Sequence, residues 1–347
     1  MKKVLKLLPV AVVMMLIMIT TACSSDSSTT DTSSTGGESE GASEGETIEI
    51  NVAYGNQPDE PIDKFAQKWK ELVEEESNGQ IELNLYPSSQ LGSEKDVIEQ
   101  ATMGNNVIVL AGYDFLMDYV PDAGILTAPY LVESMDDLLY LTTTDWFEGL
   151  RSDLNGEGLD IIANTVYGER HLLTNEKVLS PEDLNGMKIR VPNNQMSIAT
   201  FEAMGAAATP TPLGDLYTSL QQGLIDGAEN PLSVLQGVKA HEVSQHLSFT
   251  GHQKFIISWV GGTSFIDSLP EDVVQTLRDT GIEAGEYGKQ VLEEQNEEVL
   301  AEFEELGVEF YEVDIDPFRE SVQGVYEEFP NWTPGLYEEI QELLEHR

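Results

Sequence analysis

Residues 188–231 constrain this chain more than any other stretch: KIRVPNNQMSIATFEAMGAAATPTPLGDLYTSLQQGLIDGAENP. Ile189 and Val191 alternate with Lys188 and Arg190, the period-2 signature of a short half-buried strand. Pro192 cannot continue a ladder, so Arg190 falls near the carboxyl end of that strand. Ligands of open α/β sheets bind at that end. A helix follows, with Ile198, Phe201 and Met204 on one face and Gly205 as its stop. The turn-rich ATPTPLG then leads into a second helix, on which Leu216, Leu220 and Leu224 stack at i, i+4, i+8. Residues 226–231 read as a loop that delivers Asn230 beside a chain reversal.

Arginine is scarce. The chain has 18 basic residues against 62 acidic ones, and only six of the basic ones are arginines. An arginine on an apolar strand end is either half of a buried ion pair or an anion clamp, and spacing alone leaves both readings open.

Three blocks in this stretch resemble the signature of the solute-binding proteins of tripartite ATP-independent periplasmic (TRAP) transporters, C4-dicarboxylate type. The blocks are K-I-R-V-P-N at Lys188, G-A-x-x-T-P at Gly205 and L-Y-x-x-L-Q-x-G-x-x-D-G-x-E-N-P at Leu216. Their order and spacing make the resemblance specific. It implies that Arg190 holds a substrate carboxylate through a two-pronged salt bridge and that Asn230 orients it. The implied fold is α/β and two-lobed, like the type II periplasmic binding proteins. It has mixed sheets, hinge crossings, and a long helix spanning both lobes.

A chain of 347 residues that is 40% hydrophobic is long enough for about two domains and a sizeable core. The net charge of −44 excludes nucleic acid as a partner, because phosphate binding needs a basic face. A solvated surface adapted to high salt accounts for the acidity.

Lys2, Lys3 and Lys6 precede an apolar run from Leu7 to Ile19, and small residues lead to Cys23. Residues 1–22 therefore read as a secretory leader. The resemblance to bacterial lipoprotein signals implies lipidation of Cys23 and attachment to the membrane, on its periplasmic side or outer face. Residues 24–47, almost without apolar side chains, read as a flexible tether.

The folded part opens β-α-β, with strands at Ile48–Ala53 and Ile81–Leu85 around a helix bearing Phe65, Trp69 and Val73. That order argues for a parallel sheet. A third strand at 108–111 ends at Tyr113 and Asp114, which become candidate ligand-side residues with a plain turn as the competing reading. The family's Q-L-G turn recurs at Gln90 and places that glutamine near the cleft.

A strand at 159–164 leads into Gly168-Glu169-Arg170. The family match makes Arg170 a second cation for the ligand, and two arginines favour a diacid. The competing reading is a salt bridge from Arg170 to Glu169 or Asp183. A helix is expected from Val234 to His246. His252 is either a pocket group or a surface histidine in a turn, where the chain returns to the first lobe before a strand at 256–260. Ser268 to Glu271 reads as a capping box. It opens a helical face that reaches about Leu306, with Gly281, Gly285 and Gly288 expected to bend or break it. The lobes are expected at 48–167 with 256–295, and at 168–255 with 296–347.

The search for catalytic groups finds no G-x-S-x-G and no phosphate loop. His241 and His246 are five apart, which is wrong for H-E-x-x-H zinc ligation. The expectation is a receptor without cofactor or metal, not an enzyme, that passes a small organic carboxylate to TRAP membrane subunits. A receptor for an ATP-driven importer or a sensor, or a secreted hydrolase, is the alternative. Sialic-acid-binding relatives carry a phenylalanine at the position of Leu213 and a glutamate near Gly112. Leu213 is thus a specificity candidate, and a sialic acid is disfavoured.

Overall fold

The computed structural model describes residues 47–347. The leader, Cys23 and all of the tether but Thr47 lie outside the described residues. β1 (Ile48–Ala53), α1 (Pro61–Glu76), β2 (Ile81–Tyr86), α2 (Glu94–Thr102) and β3 (Ile108–Gly112) follow the opening expected from periodicity. Both β2 and β3 pair with β1 in parallel. Ser93 caps α2 in a reciprocal box with Asp96, which fixes where the helix begins. Short α3 (Tyr113–Leu116), α4 (Met135–Leu141) and α5 (Asp145–Gly156) come next.

β4 (Leu159–Thr174) does not stop at Asn164 but runs on through Arg170 as a 16-residue strand. After it come β5 (Lys188–Val191), α6 (Gln195–Ala203), β6 (Ala207–Pro210), α7 (Leu216–Gln221), β7 (Gly227–Asn230) and α8 (Leu232–Gly237). Three expectations change here. α7 ends at Gln221, so Leu216 and Leu220 are buried while Leu224 is 57% exposed. The loop expected at 226–231 is mostly β7, clasped between β4 and β5. The helix expected to reach His246 is only α8 and a 3-10 turn at Ala240–Glu242, and His246 already opens a strand.

That strand is β8 (His246–Gly262), 17 residues long. The chain ends through α9 (Thr263–Ile266), α10 (Glu271–Glu305), β9 (Glu309–Glu312), α11 (Ile315–Ser321) and α12 (Leu336–Glu345). One sheet results, in the order β2-β1-β3-β8-β4-β7-β5-β6, with β9 on β8. β4 and β8 are antiparallel along almost their full length, with three register shifts between Ile161 and Leu172. Bulges bend a strand and raise its twist, so the ladder turns there without ending. Gly168 lies at the second shift with φ of 125°, and a Cβ there would meet Pro231. The two halves of the fold therefore share a pair of strands instead of joining by loops.

α1 buries Phe65, Trp69 and Val73 on one face. Phe65 stacks on Trp259 of β8 at 5.3 Å, and the Trp69 indole N–H donates to the Leu277 carbonyl and the Thr280 hydroxyl of α10. α10 is one unbroken helix of 35 residues, about 52 Å at 1.5 Å per residue. Leu277 belongs to the core beneath β1 and β3, while Val299 and Phe303 belong to the core beneath β7. The helix thus bridges both halves.

Its glycines do not break it. A Cβ at Gly281 would sit 2.8 Å from that of Ala163, and one at Gly288 would sit 3.1 Å from the Phe65 ring. These glycines let the helix approach the sheet and α1 closely. The capping box expected at Ser268 is absent: its hydroxyl donates to the Phe265 carbonyl, and Pro270 occupies the N-cap.

The C-terminal segment reaches back to the first half. Trp332 donates to the Pro121 carbonyl and Tyr326 to that of Pro129. Among the described residues, no helix is long and apolar enough to cross a membrane.

Candidate functional site

The carboxyl ends of β1, β3, β5 and β7 converge on a cavity of about 80 Å³. Arg170, Arg190, Asp114, Leu213 and Asn230 line it, together with Asn56, Glu94, Tyr167 and Phe255. Five of the eight candidate ligand residues from the sequence are therefore neighbours in space.

Arg190 is 3% exposed. Its Nε donates to the Thr211 carbonyl at 2.8 Å. Among the described residues its terminal nitrogens have no hydrogen-bond or carboxylate partner. Burial pushes its pKa down to about 10, with Glu229 opposing and Arg170 adding to the shift. A buried guanidinium with idle donors is costly. Beside it, Asn230 has a buried side-chain nitrogen that also lacks a partner among the described residues. Idle donors from adjacent strands, facing one cavity, make a receptacle for an anion.

Arg170 is differently placed. Its Nε and Nη2 donate to the two carboxylate oxygens of Glu229 at 2.5 and 2.7 Å, and its guanidinium lies 5.0 Å from the Phe255 ring centroid. Neither Glu169 nor Asp183 is its partner. Glu169 pairs with Lys254, and Asp183 accepts from backbone N–H groups at Leu179 and Ser180. Burial alone would raise the Glu229 pKa, but Arg170 and His252 hold it down at about 2. The arginine is thus matched in charge within the protein, which weakens the inference of a diacid.

Three candidates lie off the cavity. His252 is neither in a turn nor on the surface. It is wholly buried in β8, 2.8 Å from the Thr250 hydroxyl and 3.3 Å from Glu229 Oε2, where burial lowers its pKa. Tyr113 turns into the core against Phe147, and its hydroxyl donates to Asn164 at 2.6 Å and accepts from Ser258. Gln90 is exposed in the turn after β2.

Glu94, Tyr167, Phe255 and Glu229 were not singled out from the sequence. Glu229 stands in the E-N-P block, but nothing in spacing shows that it faces Arg170. Glu94 reads simply as the first residue of a capped helix. Its side chain is half-buried because one side opens on the cavity.

Residues 52–331 match the family described as bacterial extracellular solute-binding protein, family 7 (DctP). The chain belongs to this family.

Two solved TRAP periplasmic solute-binding proteins are similar to this family 7 receptor. One, from Ochrobacterium anthropi with bound L-fuconate, is 44% identical, with a TM-score of 0.84 over 86% of this chain and 99% of that one. The other, from Actinobacillus succinogenes with bound L-galactonate, is 43% identical, with a TM-score of 0.85 over 86% of this chain and 100% of that one. The sialic acid-binding periplasmic protein SiaP of Vibrio cholerae is 31% identical over 272 residues, covering 76% of this chain and 83% of the relative. The family 7 chain is a solute receptor of the TRAP type for a small organic acid. Members of this family are binding proteins, and their ligands extend beyond C4-dicarboxylates.

Proposed function

We propose that this receptor captures a hydroxylated monocarboxylic acid of the sugar-acid class and hands it to the integral membrane subunits of a TRAP transporter. The observation that carries the reading is Arg190, buried at the end of β5 with a single bond to the Thr211 carbonyl. A carboxylate would take two parallel charge-assisted bonds from its terminal nitrogens and a third from Asn230. Fuconate and galactonate, bound by the relatives at 44% and 43% identity, each carry one carboxylate and several hydroxyls. Arg170 contributes positive potential while it stays bound to Glu229.

The two lobes are 48–167 with 256–295 and 168–255 with 296–347, closing about the crossings near Tyr167 and Lys254, with the C-terminal segment strapped across both. The chain is held at the membrane by a lipid on Cys23. Its salt-adapted acidic surface fits that extracytoplasmic site.

Calorimetric titration of the mature protein with aldonates tests the reading. Arg190→Lys should weaken binding by at least ~100-fold, because a point ammonium cannot form the fork. Near-normal affinity in that variant would remove Arg190 from the site.

A further inference from the structure

The wall of the cavity built from α2 and the end of β3 carries two carboxyls that the clamp does not use. Both are tied to Gly112. Glu94 Oε1 accepts the Gly112 N–H at 2.7 Å, and a Cβ at Gly112 would sit only 2.1 Å from Asp114 Oδ1. The glycine is what allows the aspartate to lie flat against the strand end. Asp114 is 98% buried, since 2% of it is exposed. Its Oδ2 accepts from Asn194 Nδ2 at 2.5 Å, and its Oδ1 is buried without a partner among the described residues. Glu94 Oε2 likewise makes no hydrogen bond among them. Lys95, also on the cavity, is engaged with Asp118 at 3.0 Å. Lys95 is therefore not free for the pair, and the cations that act on it are the two cavity arginines.

Charge counting inside the cavity sharpens this. Arg170 is committed to the Glu229 carboxylate by two bonds, so among the described residues Arg190 is the cavity arginine whose guanidinium is not hydrogen-bonded to a carboxylate. Burial and the proximity of Asp114 push Glu94 up to about 8, and burial pushes Asp114 up to about 6. Two carboxyls already strain to share this wall without a ligand. A further carboxylate placed there would meet the charge of Asp114, whose neighbour Arg170 is already bound to Glu229. A hydroxyl suits it: it can donate to the idle Asp114 Oδ1 and accept from protonated Glu94.

We infer that Glu94 and Asp114 form a wall that binds the hydroxyl-bearing end of the ligand and excludes a second carboxylate. The receptor then accepts hydroxylated monoacids and rejects the diacids of the same carbon skeleton. This rests on the carboxylate clamp at Arg190, and it makes selectivity a property of the opposite set of strands.

Matched pairs decide it: galactonate against galactarate, and threonate against tartrate, titrated calorimetrically into the wild-type protein and into a Glu94→Gln/Asp114→Asn double variant. Thermal melting confirms that the variant is folded. The expected result is that wild type binds the monoacid of at least one pair ~100-fold or more tighter than its diacid. The double variant should narrow that ratio at least ~10-fold, by gaining diacid affinity and not merely by losing the monoacid. A wild-type diacid affinity within ~3-fold of the monoacid, or a ratio unmoved in the variant, overturns the wall and leaves the sugar-acid reading intact. Wild-type binding of a diacid alone overturns both. If none of the four acids binds wild type, the sugar-acid reading fails by itself and the wall is decided by the variant. New binding of galactarate or tartrate supports it, and continued silence overturns it.

Discussion

Glu229 and Glu60 are both deeply buried carboxyls, and their surroundings set them to opposite charge states. Glu229 is held ionised by Arg170 and His252. Its removal leaves Arg170 buried without a counter-charge, so Glu229→Ala should cost about 3–5 kcal/mol in urea unfolding. A loss below ~1 kcal/mol would show that the guanidinium finds another partner. Glu60 accepts from Asn56 Nδ2 and from the Gln57 N–H, yet burial raises its pKa to about 8. Its folded-state pKa lies above the unfolded value, so its contribution is fully present below about pH 4.5 and is lost as pH rises through about 8. Glu60→Gln should therefore stabilise the protein more at pH 8 than at pH 5, by about 3–4 kcal/mol or about 6 °C in melting temperature. Equal shifts at the two pH values would mean that Glu60 is ionised throughout.

The elements that were legible in the sequence are those whose apolar period exceeded their ambiguity. α1 declared itself through Phe65, Trp69 and Val73, and β5 through the alternation of Ile189 and Val191 ahead of Pro192. β7 was not legible, because Gly227 to Asn230 has no alternation and is buried at every position. It exists as a strand only because β4 and β5 flank it. The full lengths of β4 and β8 were hidden for a related reason. The polar residues at their middles break the apolar pattern and find partners that sequence does not show, Arg170 and His252 on Glu229 of β7 and Glu169 on Lys254 across the ladder. Glycine misled in α10. Sequence cannot separate a glycine that breaks a helix from one that lets a neighbour come close, and here the neighbours are Ala163 and Phe65. Gly281→Ala should therefore destabilise by about 1–3 kcal/mol through overpacking, although alanine is the better helix former. Stabilisation in guanidinium unfolding would show that Ala163 and the helix can separate at no cost. At the site, Arg190 and Asn230 were legible from the three blocks, and Arg170 from the separate Gly168-Glu169-Arg170 match. The wall of Glu94 and Asp114 was only partly so, since its meaning depends on which arginine Glu229 has already engaged.

At the scale of the whole molecule, a net charge of −44 opposes the approach of any anion. The Debye length falls from ~10 Å at 0.1 M salt to ~3 Å at 1 M. Stopped-flow association of the acid ligand should accelerate several-fold over that range. A rate that falls with salt would mean that the cavity's own positive potential steers the encounter. The long β4–β8 ladder, shifted in register at its bulges, has a consequence for how such a receptor can be reused. In the proposed closure, movement about that ribbon is a torsion of shared backbone, and backbone stiffness takes no account of which solute sits in the cleft. The restoring force is then a constant of the scaffold, like the spring of a hinge that fits many doors. Under the proposed function, exchanging a few cavity side chains would change the cargo while the membrane subunits meet the same motion each time.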